Sequence, residues 1–580
     1  MLRVPIHARS SRATSIKPAT RSFPLAVKRH LHLRPDEKHK LFNVTTTRWL
    51  YNDEKQRIAR HLPFDLDAFT DIAAKAAHAN ACVSIEKIYE RGMNRVFFLR
   101  FDNDVEFIAK LPYAVAGPKH YTNASEVATL DYLRTVHGFP VPHVRAWCSG
   151  AESSPVGAEF IMYERLPGRL LREHELHCKP PLEKDPYVEI IPDIQHIETR
   201  LFSQGYSQIG SIYYENDVPS ELRGNISNER STDRLDPARF CIGPTVNREF
   251  WRSGRAALNI NRGPWPDVHS YMRSRAACAR ASIETNLHDP TRPVYSRLIS
   301  ELENLIPHLA PAHVPHILWH PNLSADEILV TQTKDAQAHQ LSGIIDWQGA
   351  TVSPAYEHLR VPPAFSAADV EGHPLLDFSG GDEPRLGPQV PYLDAQQRRL
   401  ADALLRRAQR AKTHEVGVRT RDPALWREMY DPKGATAQQR VAAAPTSVIM
   451  DGVEASVPLL EHTFVVCRRF WDRLVGVDEH GAPRAPFPLE ISQADERRIL
   501  EEVERVRYDA AVINDVIESL GVSVGNEGAV DADKYDDVQH ALEEGKQALL
   551  SMVPPQDRER LEKAWPFQEG KTSLGADLRT

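Results

Sequence analysis

Two nearby stretches of this 580-residue chain carry side chains suited to phosphate chemistry. Between residues 317 and 330, His320, Asn322, Asp326 and Glu327 occupy a polar loop flanked by two short apolar runs. Beyond it, Asp346 ends the run Ile344-Ile345 and precedes Trp347. Two short buried strands around a polar loop, with a second acidic residue at the end of the next strand, are how a phosphoryl-transfer site presents its catalytic and metal-binding groups. A carboxylate at Asp346 suits the Mg²⁺ that bridges nucleotide phosphates, because magnesium takes oxygen ligands. The plainer reading is a turn aspartate closing a strand.

Upstream, Lys110 stands at the end of an apolar run and shares a face with Ile108 and Glu106. A lysine so placed can hold the α- and β-phosphates of a nucleotide when a carboxylate on the following helix fixes it, and Glu126 is the natural partner. Each also has a plainer role, Lys110 as a surface lysine and Glu126 as the last member of a capping box in Asn123-Ala124-Ser125-Glu126. Residues 90–96, with Gly92 and Asn94, precede the Lys110 strand and are a candidate phosphate-covering loop. Their single glycine equally suits an ordinary hairpin turn. His320 reads as an organiser of its loop, with its ring bonded to backbone. His316 is no zinc partner for it, because residues four apart on a strand lie roughly 13 Å apart.

The elements that must position these groups are legible in outline. Residues 96–101 and 105–111 form a hairpin around Asp102-Asn103-Asp104. A helix follows at 126–133 and a strand at 159–164, leaving through Leu166-Pro167-Gly168. Residues before 84 read as a connecting segment, and 172–235 as linkers and short helices. The rest is expected to be largely helical, with a Gly/Pro-rich interruption at 378–391. A clear helix starts near Ser492, with Ile499, Val503, Val506, Ala510 and Ile513 on one apolar stripe. The acidic stretch 527–544 reads as solvated surface.

The order of these pieces resembles the aminoglycoside and choline phosphotransferase family of kinase-like folds. That family's loop reads His-x-Asp, four residues, then Asn, with Ile-Asp-Trp after a short hairpin. His320 and Asp346 match it, and Pro354, Tyr356 and Glu357 resemble its continuation. Asn322 stands where the family has its catalytic aspartate, and Glu327 where it has a metal-binding asparagine. An aspartate accepts or orients the proton of the acceptor hydroxyl, which an amide cannot do; losing such a base typically costs about 10²–10⁴ in rate. Asp326 is a neighbouring substitute. Glu327 remains an oxygen donor for magnesium. Over residues 85–359 the chain more specifically resembles the fungal mitochondrial phosphotransferase-like group named for altered inheritance of mitochondria, through Gly210-Ser211-Ile212-Tyr213-Tyr214, Ile242-Gly243-Pro244 and Arg262-Gly263-Pro264-Trp265.

Composition is compatible with this. With 41% hydrophobic and 26% charged residues the chain can bury more than one core, and a net charge of −8 argues against a general nucleic-acid binder. No apolar run approaches the roughly 18 residues needed to cross a bilayer. Six scattered cysteines show no Cys-x-x-Cys pair and read as reduced thiols. Residues 1–35 contain no Asp or Glu but eight Arg and Lys among Ser and Thr, the make-up of a mitochondrial presequence.

The expectation is therefore an α+β, two-lobed protein-kinase-like fold: a presequence and linker at 1–45, a nucleotide-binding lobe at 46–168, a lobe with the catalytic-type loop at 169–370 and its helical extension at 371–580. By resemblance, ATP and Mg²⁺ are its cofactors and a small-molecule hydroxyl its acceptor. Lys110, Glu126, Gly92 and Asn94 would bind nucleotide, Asp346 and Glu327 metal, and His320 and Asn322 would serve the transfer. The competing expectation is a pseudokinase-like binding or scaffold protein whose Asn322 marks lost catalysis.

Overall fold

Alternation of apolar and polar residues builds the sheet that carries Lys110. In a computed structural model describing residues 31, 33–174, 182–226, 239–286, 292–311, 313–335, 338–368, 370–379, 383–451 and 457–569, five antiparallel strands lie side by side. Their order is Cys82–Tyr89, Asn94–Phe101, Glu106–Pro112, Phe160–Glu164 and Val144–Cys148. Phe97, Leu99, Phe101, Phe107, Ala109 and Leu111 fill one face and are all buried. The 102–104 turn closes the expected hairpin, with Asp104 at φ 61°. Against that face packs the helix Leu66–Ala76, capped by Asp65, whose carboxylate accepts from the Ala68 N–H at 2.8 Å. Phe69 stands edge-on to Phe160, ring centres 5.7 Å apart.

The chain divides into two compact units, the first made of Met1–Val127, His143–Arg165 and Tyr508–Thr580. Several expectations need correction there. The "connecting" region before residue 84 contains the helices Asp53–Ala59 and Leu66–Ala76, and the expected linker up to residue 45 is helical over Pro35–Phe42. Leu41 from Pro35–Phe42, Leu66, Phe69 and Ala73 from Leu66–Ala76, and Phe64 just before it all join the core. Residues 371–580 are not one extension, because the chain from Tyr508 onward belongs to the first unit. There Ala529–Asp531 pairs antiparallel with Thr47–Trp49. The acidic stretch 527–544 is only half surface: Val530, Tyr535, Val538 and Leu542 are buried while the carboxylates between them face out. Residues 1–30 and 32 of the presequence expectation, Cys178, and 175–181 and 227–238 of the expected linker lie outside the described residues.

The second unit comprises Ala128–Pro142 and Leu166–Arg507 and is mainly helical, as expected. Within the expected linker at 172–235, however, Pro186–Ser203 is an 18-residue helix. Its buried Tyr187, Ile190, Ile191, Ile194, Ile197 and Leu201 keep helical spacing, which the polar average of the region conceals. The helices Val268–Asn286, Arg292–Leu309, Ala435–Asp451 and Val457–Arg469 enclose a core with Tyr271, Leu298, Leu302, Met450 and Phe464. Inside it Arg275 is tied to Glu249 and Glu357, each at 2.5 Å. The Gln493–Ser519 helix begins at the Ser492 cap, whose hydroxyl accepts from the Asp495 N–H at 3.0 Å.

Small sheets carry the polar loop. Ile328–Gln332 pairs with His339–Ile344 on one side and with Arg169–Leu170 on the other, while His316–Leu318 pairs with Val352–Pro354. Gly168 makes the approach possible: at φ 105°, a Cβ there would lie 2.4 Å from the Val330 carbonyl oxygen. The α+β class is the class observed. The five cysteines that fall among the described residues are buried free thiols, and no described helix is long and apolar enough to cross a membrane.

Phe69, Phe97 and Phe160 pack together in the first unit's core. Phe97→Ala is expected to lower unfolding free energy by about 3–5 kcal/mol in a denaturant titration; a loss under about 1 kcal/mol would show that the site collapses around the cavity.

Candidate functional site

Lys110 lies on the central strand of the five, paired with Val96 on one side and Ile161 on the other. Its neighbours Ala109 and Leu111 face the core, so period-two alternation sends the lysine to the opposite face. It is nevertheless only 3% exposed, because Nζ meets Glu126 Oε1 at 2.5 Å. The surface-lysine reading therefore fails. So does the capping box: the helix is Tyr121–Thr135 and starts before Asn123. Asn123 instead anchors this helix, donating from Nδ2 to the Cys148 carbonyl at 3.2 Å one turn before Glu126. Thr122 secures its start through the Pro118 carbonyl at 2.8 Å.

The 90–93 segment is the turn between the first two strands. Gly92 adopts φ 65°, and Asn94 begins the next strand and is buried. Glu90, 3% exposed, accepts from the N–H groups of Thr45 and Thr46 at 2.8 and 2.5 Å and pairs with Lys87. These bonds hold its carboxyl below the usual range against the opposing effect of burial.

In the second unit His320 latches the polar loop to the strand end that precedes Asp346. The Asn322 N–H donates to its Nδ1 at 3.2 Å, so the proton sits on Nε2, which donates to the Ile345 carbonyl at 2.9 Å. Its ring stands edge-on to Trp347, centres 4.7 Å apart. Burial pushes its pKa down to about 4 and keeps the imidazole neutral. The Ile345 N–H returns a bond to the Glu327 carbonyl at 2.9 Å, closing loop and strand end together. Asp346 then takes a left-handed turn at φ 60° and is exposed. Such a backbone costs an aspartate less than most residues.

Asn322 is exposed on the loop, and Asp326, the alternative base, pairs with Arg172 at 2.8 Å. Glu327 is half-buried. Ser324 donates to its Oε2 from both N–H and hydroxyl, at 2.8 and 2.6 Å. The Glu327 N–H in turn reaches the Ser324 carbonyl at 3.2 Å. Ser324 was missed in the sequence, although Ser-x-x-Glu is itself a recognisable reciprocal turn. Burial raises the Glu327 pKa, and the negative charges of Asp346 and Asp326 raise it further. Among the described residues no three His, Cys, Asp or Glu side chains gather as a metal cluster. Magnesium at phosphates needs less, one or two carboxylates with the remaining positions filled by phosphate and water. Glu327 and Asp346, carboxylates in each other's field, fit that donor set.

No family model matches the chain. It is 25% identical over 410 residues to altered inheritance of mitochondria protein 9, mitochondrial, of Zygosaccharomyces rouxii, across 57% of this chain and 64% of that protein. The protein of the same name in Komagataella phaffii is 28% identical over 241 residues, 40% of this chain and 39% of that one. The chain is similar to the altered inheritance of mitochondria protein 9 group. It is also 26% identical over 544 residues to a subtelomeric hrmA-associated cluster protein of Aspergillus fumigatus, across 84% of this chain and 97% of the relative. Aminoglycoside phosphotransferase APH(4)-Ia aligns in structure over 69% of this chain and 98% of that one, at 12% identity and a TM-score of 0.33. Alignments that loose are likenesses only.

His320 yields a pH prediction. Because its folded pKa lies below its ordinary value of about 6.5, the unfolded chain binds the extra proton; its contribution is complete above about pH 6.5 and is lost as pH falls toward 4. Between those limits the loss is on the order of 3 kcal/mol. Unfolding titrations at pH 7.5 and 5 are expected to differ less in His320→Gln than in the unaltered protein. Equal differences would contradict a neutral buried imidazole.

Proposed function

We propose that this protein is a mitochondrial, kinase-like phosphotransferase scaffold that binds ATP with Mg²⁺. The observation carrying this reading is the buried Lys110–Glu126 pair on the central strand. A lysine buried with one carboxylate is poor value for stability, but it is the arrangement that presents a fixed positive charge to nucleotide phosphates. The similarity to the altered inheritance of mitochondria protein 9 group, whose printed names include "mitochondrial", supports the location. So does the acid-free, Arg-rich residue bias of positions 1–35.

In this reading Lys110, oriented by Glu126, holds the α- and β-phosphates, and the turn with Gly92 and Asn94 covers them. Asp346 and Glu327 would hold Mg²⁺, which would supply neutralisation of the phosphate charge. His320 keeps the polar loop and the Asp346 strand end in register. Asn322 orients the hydroxyl of a small-molecule acceptor. In transfer the acceptor oxygen bonds to the γ-phosphorus as its bond to the β–γ bridging oxygen breaks, ADP leaves, and the hydroxyl proton passes to water. Asn322 cannot take that proton, and Asp326 is engaged by Arg172, so transfer is slow. The same two observations favour the second reading, a nucleotide-binding scaffold without transfer.

Calorimetric titration of the full chain with ATP, with and without Mg²⁺, tests the binding claim. The expected result is binding strengthened by magnesium; no binding to a folded sample sinks the proposal. Asn322→Asp then separates the two readings. A latent phosphotransferase should gain about 10²–10⁴ in phosphoryl transfer to an accepted hydroxyl, whereas a scaffold should gain nothing while still binding ATP.

A further inference from the structure

The turn at 90–93 is held by two segments far away in sequence but within the same compact unit. Arg60, with no exposed surface, donates from Nε to the Gly92 carbonyl at 3.0 Å and from Nη2 to Glu527 Oε2 at 2.7 Å. Its Nη1 meets the Gln56 carbonyl and side-chain oxygens at 3.3 and 2.5 Å, and its guanidinium lies 4.6 Å from the Trp49 ring. Arg91 pairs with Asp531 and donates to Thr47 Oγ1 at 3.2 Å. Since Thr47–Trp49 and Ala529–Asp531 are one antiparallel pair, Arg91 fastens the turn to this ribbon, and Arg60 ties the turn to Glu527 just before the ribbon's second strand.

Glu527 is an unusual residue to find at its position. Its φ is 58°, a left-handed backbone that favours glycine, and Gly528 follows with φ 77°. A glutamate kept in such a backbone, with its carboxylate on a fully buried guanidinium, points to work done by the side chain. Arg60 would otherwise be an uncompensated buried charge. With Glu527 in place its guanidinium is paired and directed at Gly92. Because the peptide group is planar and trans, fixing the Gly92 carbonyl toward Arg60 fixes the Met93 N–H on the opposite side. A backbone N–H held in a set direction is a donor of the kind that meets phosphate oxygens.

We propose that Arg60 and Glu527 are positioning residues for the 90–93 turn, so that the C-terminal segment of this chain sets the nucleotide affinity of the first unit. This rests on the reading of that turn as the phosphate-covering loop. The discriminating variant is Glu527→Gly, which removes the carboxylate while suiting the left-handed backbone; Arg60→Lys is the conservative companion, keeping a charge but not the two-armed reach. In the full chain, amide hydrogen exchange at residues 91–94 and calorimetric titration with ATP and Mg²⁺ are measured beside thermal unfolding.

The expected result for Glu527→Gly is exchange at residues 91–94 faster by about tenfold and ATP affinity weaker by about tenfold, with a lowered unfolding temperature because Arg60 loses its charge partner. Arg60→Lys is expected to fall between it and the unaltered protein. Unchanged exchange overturns the proposal, and so does faster exchange with unchanged affinity. If the unaltered protein binds no ATP yet Glu527→Gly still exchanges faster, the proposed function fails and the pair survives as the holder of the turn.

Discussion

A lysine and a glutamate buried together, Lys110 and Glu126, are the constraint on which the first unit is arranged. Taking each charge out of water costs several kcal/mol, and their attraction returns that only when geometry is fixed. The fold supplies the fixing from both sides. Lys110 sits on the middle strand of five, where pairing on both edges leaves its backbone no freedom. Glu126 sits on a helix pinned one turn earlier by Asn123 and at its start by Thr122. An apolar pair of similar volume would serve stability as well or better, and the proposed function gives the charges a ligand to serve.

The second unit solves a related problem with a neutral group. His320 links the backbone of the polar loop to the strand end before Asp346 using both ring nitrogens, and burial keeps it from taking a second proton. Ser324 and Glu327 close the loop reciprocally. Asn322 and Asp346 are exposed, and Glu327 is half-buried between its turn role and the field of Asp346. Structural order at the loop is therefore preserved although the residue at the base position is an amide.

Much of this was legible in the sequence where a local pattern fixes geometry. Alternation around Phe97 and Leu99 gave the hairpin and the face on which Lys110 stands, and the apolar runs about His320 gave the loop. What was not legible depends on distant partners. Nothing local in Glu126 distinguishes a helix cap from a lysine partner; the earlier start of the helix decides it. The helix Pro186–Ser203 was hidden because its apolar stripe is diluted by charges on the other face. The return of residues beyond Tyr508 to the first unit, and the Arg60–Glu527 pair it creates, joins positions hundreds of residues apart and leaves no local trace.

The central claim is that the Lys110–Glu126 pair exists for nucleotide phosphates and not for the fold, and a double substitution tests it most directly. Lys110→Met with Glu126→Leu replaces the pair by apolar groups of similar volume and leaves no unmatched charge. The measurement is ATP–Mg²⁺ affinity beside thermal unfolding of the same protein. The account predicts an unfolding temperature equal to or above that of the unaltered chain and affinity weakened by at least about a hundredfold. A folded double variant that binds ATP as tightly as before would contradict it.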